Sequence, residues 1–225
     1  MRELLEHIKI QVNDKTFLKD PDSSVLGRSI IREGNLMIHE LGNEAFTFKK
    51  LATKLNTTES TIYRYFENKH KLLVYLVSWY WGWLEYEIVL NSSNIAASEE
   101  KLAKILSTIC NPLETDIVHN QLNLRPLHKI VVTESPKAYY TKDAIEENGI
   151  GLFSNYKRVV ERLALAINEV NPDYPYSHSL AAVAIESINQ QQFLATHFPQ
   201  LSDVKNDKKL LCDFIIDMVL KTINK

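Results

Sequence analysis

The sequence predicts an all-α protein, and three observations support this fold class. Glycine and proline are scarce, with 6 and 7 among 225 residues, so few positions break a helix. Apolar residues recur at helical spacing along most of the chain. The composition is 45% hydrophobic and 24% charged, which is typical of a globular protein with its own core. Disordered, collagen-like and disulfide-stapled architectures are therefore not expected.

The first elements are an N-terminal arm and a long helix. The arm, residues 1–24, combines a short amphipathic piece with a polar run. Ser24 or Asp22 can cap a helix over 25–41, because short polar side chains accept hydrogen bonds from the first amides of a helix. Gly42 follows the last apolar residue of that helix, where glycine relieves a left-handed turn.

Two short helices and a longer one follow. The short helices are predicted over 48–55 and 59–66, and the longer helix over 69–90. Asn56, in the break between the short helices, tolerates a positive φ better than most residues. The N-caps predicted for these three helices are Thr47, Thr58 and Asn68. Short helix, tight turn and short helix have the dimensions of a helix-turn-helix.

The rest of the chain reads as six further helices separated by breaks, most of which contain proline. They are predicted over 99–110, 113–121, 123–134, 142–170, 177–198 and 207–223. Gly149-Ile150-Gly151 is expected to interrupt or kink the fourth of them, and no strand or Lys-Ser/Thr pair makes it a phosphate loop. We therefore predict three regions, which are the arm 1–24, the helix-turn-helix domain 25–75 and a larger helical domain 76–225.

A basic segment lies within the helix-turn-helix. Residues 47–71 hold six Lys/Arg and two Asp/Glu, whereas the net charge of the whole protein is −2. A basic segment on an acidic chain indicates a polyanion contact at one end of the protein. A solvated basic face would give the same counts, so charge alone does not decide between the two.

The most specific sequence pattern spans the turn and the second short helix. Residues 61–69 read Thr-Ile-Tyr-Arg-Tyr-Phe-Glu-Asn-Lys, paired leucines follow at 72 and 73, and Gly42 and the run Phe46-Thr47-Phe48-Lys49-Lys50-Leu51-Ala52 precede them. Over residues 25–77 this pattern resembles the N-terminal domain of the TetR transcriptional regulators. Three positions depart from it. Asn56 replaces the usual turn glycine, Thr57 a usual apolar residue, and Ser60 a common glycine or proline.

The predicted DNA contacts divide into base-reading and phosphate-binding positions. A recognition helix presents its N-terminal side chains to base edges in the major groove, which here are Thr57, Thr58, Glu59, Ser60 and Thr61. Arg64 lies one turn further on, where it can reach a guanine or a phosphate. The resemblance implies phosphate contacts for Thr47, Tyr63, Tyr65 and Lys69, and Lys49 and Lys50 would strengthen the approach to DNA. Packing is an alternative role for Tyr63, and complementing the helix dipole is one for Glu59. The expected core residues are Leu51, Ala52, Leu55, Ile62 and Phe66.

The residue pattern of the last helix predicts that this helix is buried on more than one side. Its charged residues form one narrow stripe, and most of the remaining positions over 210–223 are apolar. The resemblance implies a homodimer through a four-helix bundle made by this helix and the one over 177–198. The residues predicted for that interface are Leu180, Ala184, Ile188, Leu211, Ile215 and Met218. A central helix of a monomeric core is the alternative.

Aromatic residues concentrate in the helix over 69–90, which holds all three tryptophans. Because the resemblance places a ligand pocket beside this helix, we predict a small-molecule effector that is hydrophobic or aromatic. The residues predicted to line the pocket are Trp79, Trp83, Tyr86, Cys110, His128, Phe153 and Tyr156. Ordinary core packing is an alternative for each of them.

Catalysis and metal binding have no support in the sequence. Cys110 and Cys212 form no CxxC motif, and the histidine spacings place no ligand pair on one helix face. No serine or cysteine has a base at a recognisable spacing. The N-terminus contains acidic residues where a signal peptide needs an apolar run, so a cytoplasmic location with reduced thiols is expected. No cofactor, no metal and no membrane contact are predicted.

The sequence therefore predicts a homodimeric one-component regulator, with repression as the favoured direction. It would bind double-stranded DNA at a pseudo-palindromic operator and be released by an effector. One alternative is a constitutive DNA-binding dimer without an effector. Another is a helical scaffold or enzyme that retains an unused DNA-binding module.

Overall fold

The computed structural model describes residues 10–112 and 122–224. These residues contain ten α-helices, together with short 3-10 turns at Asp14–Thr16, Pro21–Ser23 and Pro199–Leu201. The helices are α1 (Val25–Ala45), α2 (Phe48–Lys54), α3 (Glu59–Tyr63), α4 (Lys69–Ser92), α5 (Ser98–Cys110), α6 (Leu124–Tyr139), α7 (Ala144–Gly149), α8 (Ser154–Val170), α9 (Ser177–His197) and α10 (Lys208–Ile223). The all-α prediction is confirmed.

Side-chain caps begin the first four helices, as predicted. The Ser24 hydroxyl accepts a hydrogen bond from the amide of Gly27 at 3.0 Å. Thr47, Thr58 and Asn68 accept hydrogen bonds in the same way from the amides three residues further on, at 3.2, 3.3 and 2.9 Å. Each cap satisfies an amide that has no partner inside its own helix.

Two residues with positive φ mark the predicted breaks. Gly42 has a φ of 75° and kinks α1 three residues before its end. Asn56 has a φ of 51° in the turn between α2 and α3. Both predictions about these turns are confirmed, because the residue types that tolerate positive φ stand where the chain reverses.

Of three predictions for the later helices, one is untested, one is wrong and one is confirmed. The helix expected over 113–121 lies outside the described residues. Helix α6 continues through Pro136 to Tyr139, although a break was expected at Ser135-Pro136, because burial of Ala138 holds its last turn. The segment 142–170 forms α7 and α8 with a turn between them, as its two glycines indicate.

The chain divides into two compact units, whose bounds differ from those of the predicted domains. The N-terminal unit comprises the described residues of Met1–Gly82 and Glu114–Asn155, and the C-terminal unit those of Trp83–Leu113 and Tyr156–Lys225. Helix α6 therefore groups with the helix-turn-helix residues, because it packs on α1. In the C-terminal unit, α10 packs on both α5 and α9.

Membrane crossing was tested on the helices of the described residues. None of them combines the length and the apolar character that a bilayer span requires.

Candidate functional site

Helices α2 and α3 are held by an apolar core on their inner faces. Leu51, Ile62 and Phe66 are fully buried, and Ala52 is nearly so. Leu55, predicted as a core residue, is half-buried at the end of α2. Because α3 has only five residues, this packing rather than intrinsic helix propensity keeps it in place.

The turn between α2 and α3 is closed by main-chain hydrogen bonds. The amide of Thr57 donates to the carbonyl of Ala52 at 2.9 Å, and the amide of Asn56 donates to the carbonyl of Thr53 at 3.2 Å. These bonds fix the direction in which α3 leaves the turn. The asparagine that replaces the usual glycine is therefore compatible with the motif, as its positive φ also indicates.

The polar residues predicted to read bases lie on the outer side of α3. Thr58, Ser60 and Arg64 are exposed, whereas Thr57, Glu59 and Thr61 are half-buried. The hydroxyls of Thr58 and Thr61 are 2.9 Å apart and share a hydrogen bond. A base edge that contacts either threonine must therefore compete with this bond, whereas Ser60 lies further along the exposed surface.

The start of α2 carries exposed basic and hydroxyl side chains. Thr47, Lys49 and Lys50 are exposed. The ammonium group of Lys50 donates to the carbonyl of Ala45 at 2.8 Å, so part of this charge neutralises the end of α1. Lys49 is thus the better-placed lysine of the two for a polyanion.

Tyr63 combines packing with exposure. Its ring meets the Phe48 ring edge-on, with centroids 5.0 Å apart, while 47% of the residue stays exposed. Both roles weighed for Tyr63 in the sequence, packing and surface contact, are therefore compatible with its position.

Tyr65 lies in the interior, unlike the surface position that the resemblance implies. Only 4% of the residue is exposed, and its hydroxyl lies 2.8 Å from the Ser24 hydroxyl. The hydrogen bond with Ser24 is the main reason that the pKa of Tyr65 lies below its usual value. The phosphate contact implied for Tyr65 would thus use a hydroxyl that already shares a hydrogen bond with Ser24.

Lys69 donates hydrogen bonds within the N-terminal unit. Its ammonium group donates to the main-chain carbonyls of Asn43, Glu44 and Phe46 at 2.8, 3.1 and 3.4 Å. These carbonyls lie at the C-terminal end of α1, where a helix lacks internal donors. The phosphate contact implied for Lys69 would thus share an ammonium group that already has three acceptors.

A known protein family matches this part of the chain. A sequence model of the family described as bacterial regulatory proteins, tetR family, matches residues 30–76, which span most of α1, α2, α3 and the start of α4. Residues 30–76 therefore carry a DNA-binding domain of the tetR family. A comparison with curated protein sequences gives no match.

Solved structures of TetR-type regulators share the fold over most of both chains. A fatty acid degradation regulator FadR from Bacillus halodurans has a TM-score of 0.60 at 18% identity, over 84% of this chain and 96% of that chain. A TetR-family regulator from Bordetella parapertussis 12822 has a TM-score of 0.58 at 15% identity, over 85% and 92%. AibR in complex with isovaleryl coenzyme A and operator DNA has a TM-score of 0.56 at 16% identity, over 85% and 96%.

The seven predicted ligand residues are distributed over both units. Trp79, His128 and Phe153 belong to the N-terminal unit, and the other four, Trp83, Tyr86, Cys110 and Tyr156, belong to the C-terminal unit. In the N-terminal unit, the Tyr80 hydroxyl lies 2.8 Å from Nδ1 of His128, and the ring of Phe153 meets that of Tyr139 at 5.3 Å. Polar side chains are thus built into an otherwise aromatic core.

In the C-terminal unit, the predicted ligand residues are mostly packed against neighbours. Trp83 is 3% exposed and lies 5.8 Å from the Tyr86 ring, and Cys110 is fully buried. The Tyr156 hydroxyl donates to Glu186 at 3.0 Å. The packing alternative and the ligand prediction both remain for these residues.

A cleft of about 260 Å³ lies elsewhere in the C-terminal unit. Its walls are mainly apolar, and two ion pairs border it, Lys101 with Glu169 at 2.7 Å and Arg162 with Glu85 at 2.9 Å. The lining residues are Ile88, Val89, Ser92, Ser93, Lys101, Ile105, Arg162, Leu165, Ala166 and Glu169. None of the seven predicted ligand residues is among them.

The six predicted dimer residues are mainly core residues of one chain. Leu180, Ala184, Ile188, Leu211 and Ile215 are all buried, and Met218 is half-buried. The same two helices expose other apolar side chains, namely Val183 on α9 and Leu210 and Phe214 on α10, which are 55%, 48% and 46% exposed. The predicted helices thus carry an exposed apolar face, but most of the predicted side chains point away from it.

The sequence predicted an N-terminal arm but not the contacts that the arm makes beside this site. The amide of Leu18 donates to the carbonyl of Tyr65 at 2.8 Å, just beyond α3. Lys19 lies over the ring of Tyr65, with its ammonium nitrogen 5.0 Å from the ring centroid. A main-chain bond leaves no trace in residue types, so no sequence signal could have revealed it.

Proposed function

We propose that the protein is a homodimeric one-component transcriptional repressor that an effector releases from a pseudo-palindromic operator. The observation that carries this proposal is the outer surface of α2 and α3. There an exposed polar edge (Ser60, Arg64) lies beside exposed Thr47 and Lys49, over an apolar core that holds both helices. This arrangement suits a helix that enters the major groove while its neighbour contacts the backbone.

Contacts to the bases are assigned to α3 and contacts to phosphates to the flanking residues. Ser60 and Arg64 are the most accessible base-reading candidates, followed by Thr57, Thr58, Glu59 and Thr61. Thr47, Lys49 and Tyr63 are the phosphate-contacting candidates, because each is exposed beside α3. A dimer would place two copies of α3 in successive major grooves, about 34–36 Å apart.

The dimer contact is assigned to the exposed face of α9 and α10. Val183, Leu210 and Phe214 leave apolar surface in contact with water, which a two-fold copy of the same face would cover. The buried neighbours named in the sequence prediction support this face from inside the chain.

Effector control is supported by the solved complex of AibR with isovaleryl coenzyme A and operator DNA, which shares the fold. The predicted effector is hydrophobic or aromatic, and the mainly apolar cleft in the C-terminal unit would suit a small apolar group. Such a ligand would shift the population toward a dimer whose recognition helices have a different separation. A regulator of chromosomal genes in bacteria would act in the cytoplasm.

In-vitro selection of DNA sites by the purified protein tests the DNA-binding proposal. Wild type should enrich a palindrome, and Ser60→Ala should relax the base preference at one position in each half-site. Tyr63→Phe removes only the hydroxyl and keeps the contact with Phe48. It should weaken binding to all sites about equally if the hydroxyl meets a phosphate.

The control for this selection is Lys142→Ala, an exposed lysine in the turn before α7. It should leave both the enriched site and the affinity unchanged. Binding by wild type that shows no preferred site and only a steep salt dependence would contradict the proposal, because generic phosphate attraction would then explain it.

Effector control needs a separate test on the enriched duplex. Short-chain carboxylic acids and isovaleryl coenzyme A would be added to the complex, and DNA affinity measured by fluorescence anisotropy. A ligand that weakens DNA binding in wild type should lose potency in Leu165→Trp, which fills the cleft. Unchanged potency in that variant would place the effector elsewhere.

A further inference from the structure

Residues 10–24, called here the N-terminal strap, run along the N-terminal unit before α1 begins. The strap has little regular structure of its own, with two 3-10 turns, yet Ile10, Thr16 and Pro21 are buried. Buried side chains in an irregular segment show that it packs as part of the unit rather than trailing in solvent.

One end of the strap is attached just beyond α3. The amide of Leu18 donates to the carbonyl of Tyr65 at 2.8 Å, and the Ser24 hydroxyl lies 2.8 Å from the Tyr65 hydroxyl. The carbonyl of Tyr65 follows the last turn of α3, where carbonyls have no donor within the helix. The strap therefore supplies a hydrogen-bond donor to a carbonyl that lies two residues beyond α3.

The middle of the strap joins the aromatic core below α3. The Phe17 ring meets the Tyr75 ring edge-on at 6.1 Å, and Tyr75 meets Phe66 at 5.5 Å. Phe66 is fully buried directly after α3. The strap and the recognition helix thus share one aromatic cluster.

The other end of the strap is attached to the segment between α7 and α8. The Asn13 side chain donates to the carbonyl of Ile150 at 2.9 Å. The Asn155 side chain, 2% exposed, donates both to the carbonyl of Gln11 at 3.0 Å and to the carbonyl of Ser78 in α4 at 2.8 Å. Two asparagine amides therefore hold the strap at residues 150–155.

The absence of a side chain at Gly82 lets this end of the strap lie close to α4. A Cβ at position 82 would lie 2.6 Å from Cγ2 of Ile10 and 2.8 Å from Nδ2 of Asn155. Both distances are far below van der Waals contact, so a larger residue at 82 would displace the side chains of Ile10 and Asn155.

We propose that the N-terminal strap couples residues 150–155 to the recognition helix, so that a displacement of that segment changes how α3 is held for DNA. That segment contains Phe153, one of the predicted ligand residues. The side chains of Asn13 and Asn155 attach the strap to the segment by hydrogen bonds. The coupling to DNA rests on the proposed function. The mechanical link within the N-terminal unit does not.

Two variants each remove one hydrogen bond of the strap, at opposite ends of it. Leu18→Pro removes the amide that donates to Tyr65, and the extended backbone of Phe17 (φ −139°, ψ 158°) is one that a following proline tolerates. Asn13→Asp keeps the oxygen that accepts from the amide of Lys15 but replaces the donor to Ile150 with an acceptor.

Each variant has a matched control. Leu18→Ala keeps the amide and removes a side chain that is 67% exposed. Gln11→Glu adds the same charge to the strap as Asn13→Asp, at an exposed side chain whose main-chain carbonyl still accepts from Asn155. Both controls should behave as wild type.

Hydrogen exchange of the amides of Tyr65 and Phe66 is the primary measurement, because both amides donate to the carbonyl of Ile62 at the end of α3. Asn13→Asp should accelerate their exchange roughly threefold to tenfold, which is the effect expected from the loss of one hydrogen bond. This effect is expected although the substitution lies at the far end of the strap. Unchanged exchange in Asn13→Asp would overturn the coupling, even if Leu18→Pro accelerates it.

The double variant Asn13→Asp/Leu18→Pro distinguishes one coupled element from two local effects. If the strap acts as a unit, the second substitution should accelerate the exchange of these amides little beyond the effect of the first. Additive accelerations would overturn the proposal.

DNA binding is the second measurement, on the duplex that wild type enriches. Asn13→Asp should weaken binding by a factor similar to its effect on exchange. If wild type enriches no duplex, the proposed function fails, and the exchange experiment still decides whether the strap couples its two ends.

Discussion

The ammonium group of Lys69 lies 2.8 Å from the carbonyl oxygen of Asn43 and donates a hydrogen bond to it. A lysine implied as a phosphate ligand thereby joins the start of α4 to the end of α1. We therefore expect substitution of Lys69 to lower the stability of the fold in addition to any effect on a DNA contact.

Lys69→Met should lower the free energy of unfolding by about 1–3 kcal/mol, because carbonyls at the end of α1 lose a charged donor. Urea denaturation measures this loss. Lys49→Met is the control, since Lys49 is exposed, and it should weaken DNA binding while stability stays within about 0.5 kcal/mol. Equal stability losses in both variants would show that Lys69 has no special structural role.

Gly27→Ala should destabilise the protein by about 3 kcal/mol, because the added Cβ would lie 2.2 Å from the main-chain oxygen of Pro21. Main-chain atoms cannot turn aside as a flexible side chain can. Gly149→Ala is the control, since a Cβ there meets nothing within 4 Å, and it should be neutral or stabilise by about 0.5 kcal/mol. Thermal unfolding compares the two, and similar melting temperatures would contradict the predicted clash.

Glu147→Gln should reduce stability at neutral pH and much less in acid. Burial raises the pKa of Glu147, but hydrogen bonds from Lys71 at 2.8 Å and His70 at 3.0 Å outweigh it, and the net pKa lies below its usual value. A carboxylate with a depressed pKa contributes stability above its unfolded pKa, and the contribution is lost as pH falls through the folded pKa.

Urea denaturation at pH 7 and at pH 4 checks this dependence. Wild type should exceed Glu147→Gln by about 1–2 kcal/mol at pH 7, and the difference should shrink at pH 4. Glu146→Gln, at an exposed neighbouring position, should show no such trend. A difference that grows on acidification would reverse the assigned sign.

Cys212 should react with iodoacetamide well before Cys110. A hydrogen bond from the Cys110 thiol lowers the pKa of Cys212, which is half-buried, whereas the bond to Cys212 and burial raise the pKa of Cys110, which is fully buried. Peptide mapping by mass spectrometry measures both sites in native protein. Cys212→Ser should leave Cys110 unmodified, and rapid labelling of Cys110 in wild type would contradict its burial.

Phe214→Arg should weaken dimerisation at least tenfold, because a charge replaces an apolar ring at the centre of the exposed face on α10. Sedimentation equilibrium measures the dissociation constant. Ile145→Arg makes the same kind of change at an 89% exposed residue of α7, and the dimer should persist in it. A wild-type monomer at micromolar concentration would refute the dimer itself.

Local features of this fold could be predicted from the sequence. The caps at Ser24, Thr47 and Thr58 and the positive φ at Gly42 and Asn56 were all predictable, since each depends on a residue and its immediate neighbours. The motif over residues 61–73 likewise identified the DNA-binding domain, because its pattern of aromatic, basic and apolar residues is local.

The orientation of individual side chains could not be predicted in the same way. Tyr63 and Tyr65 are two residues apart, yet one is 47% exposed and the other 4%, because the strap covers only the second. On α9 and α10 apolar residues occupy most positions, so periodicity could not separate the buried Ile188 from the exposed Val183.

By itself the sequence determined the helical class, the order of most helices and the DNA-binding motif, because these follow from interactions between residues close in the chain. Only the tertiary structure decided that the amide of Leu18 donates to Tyr65 beyond α3, that Glu147 pairs with Lys71, and that the thiols of Cys110 and Cys212 meet. These contacts join residues 47, 76 and 102 positions apart, and packing of the whole chain, rather than any local preference, brings them together.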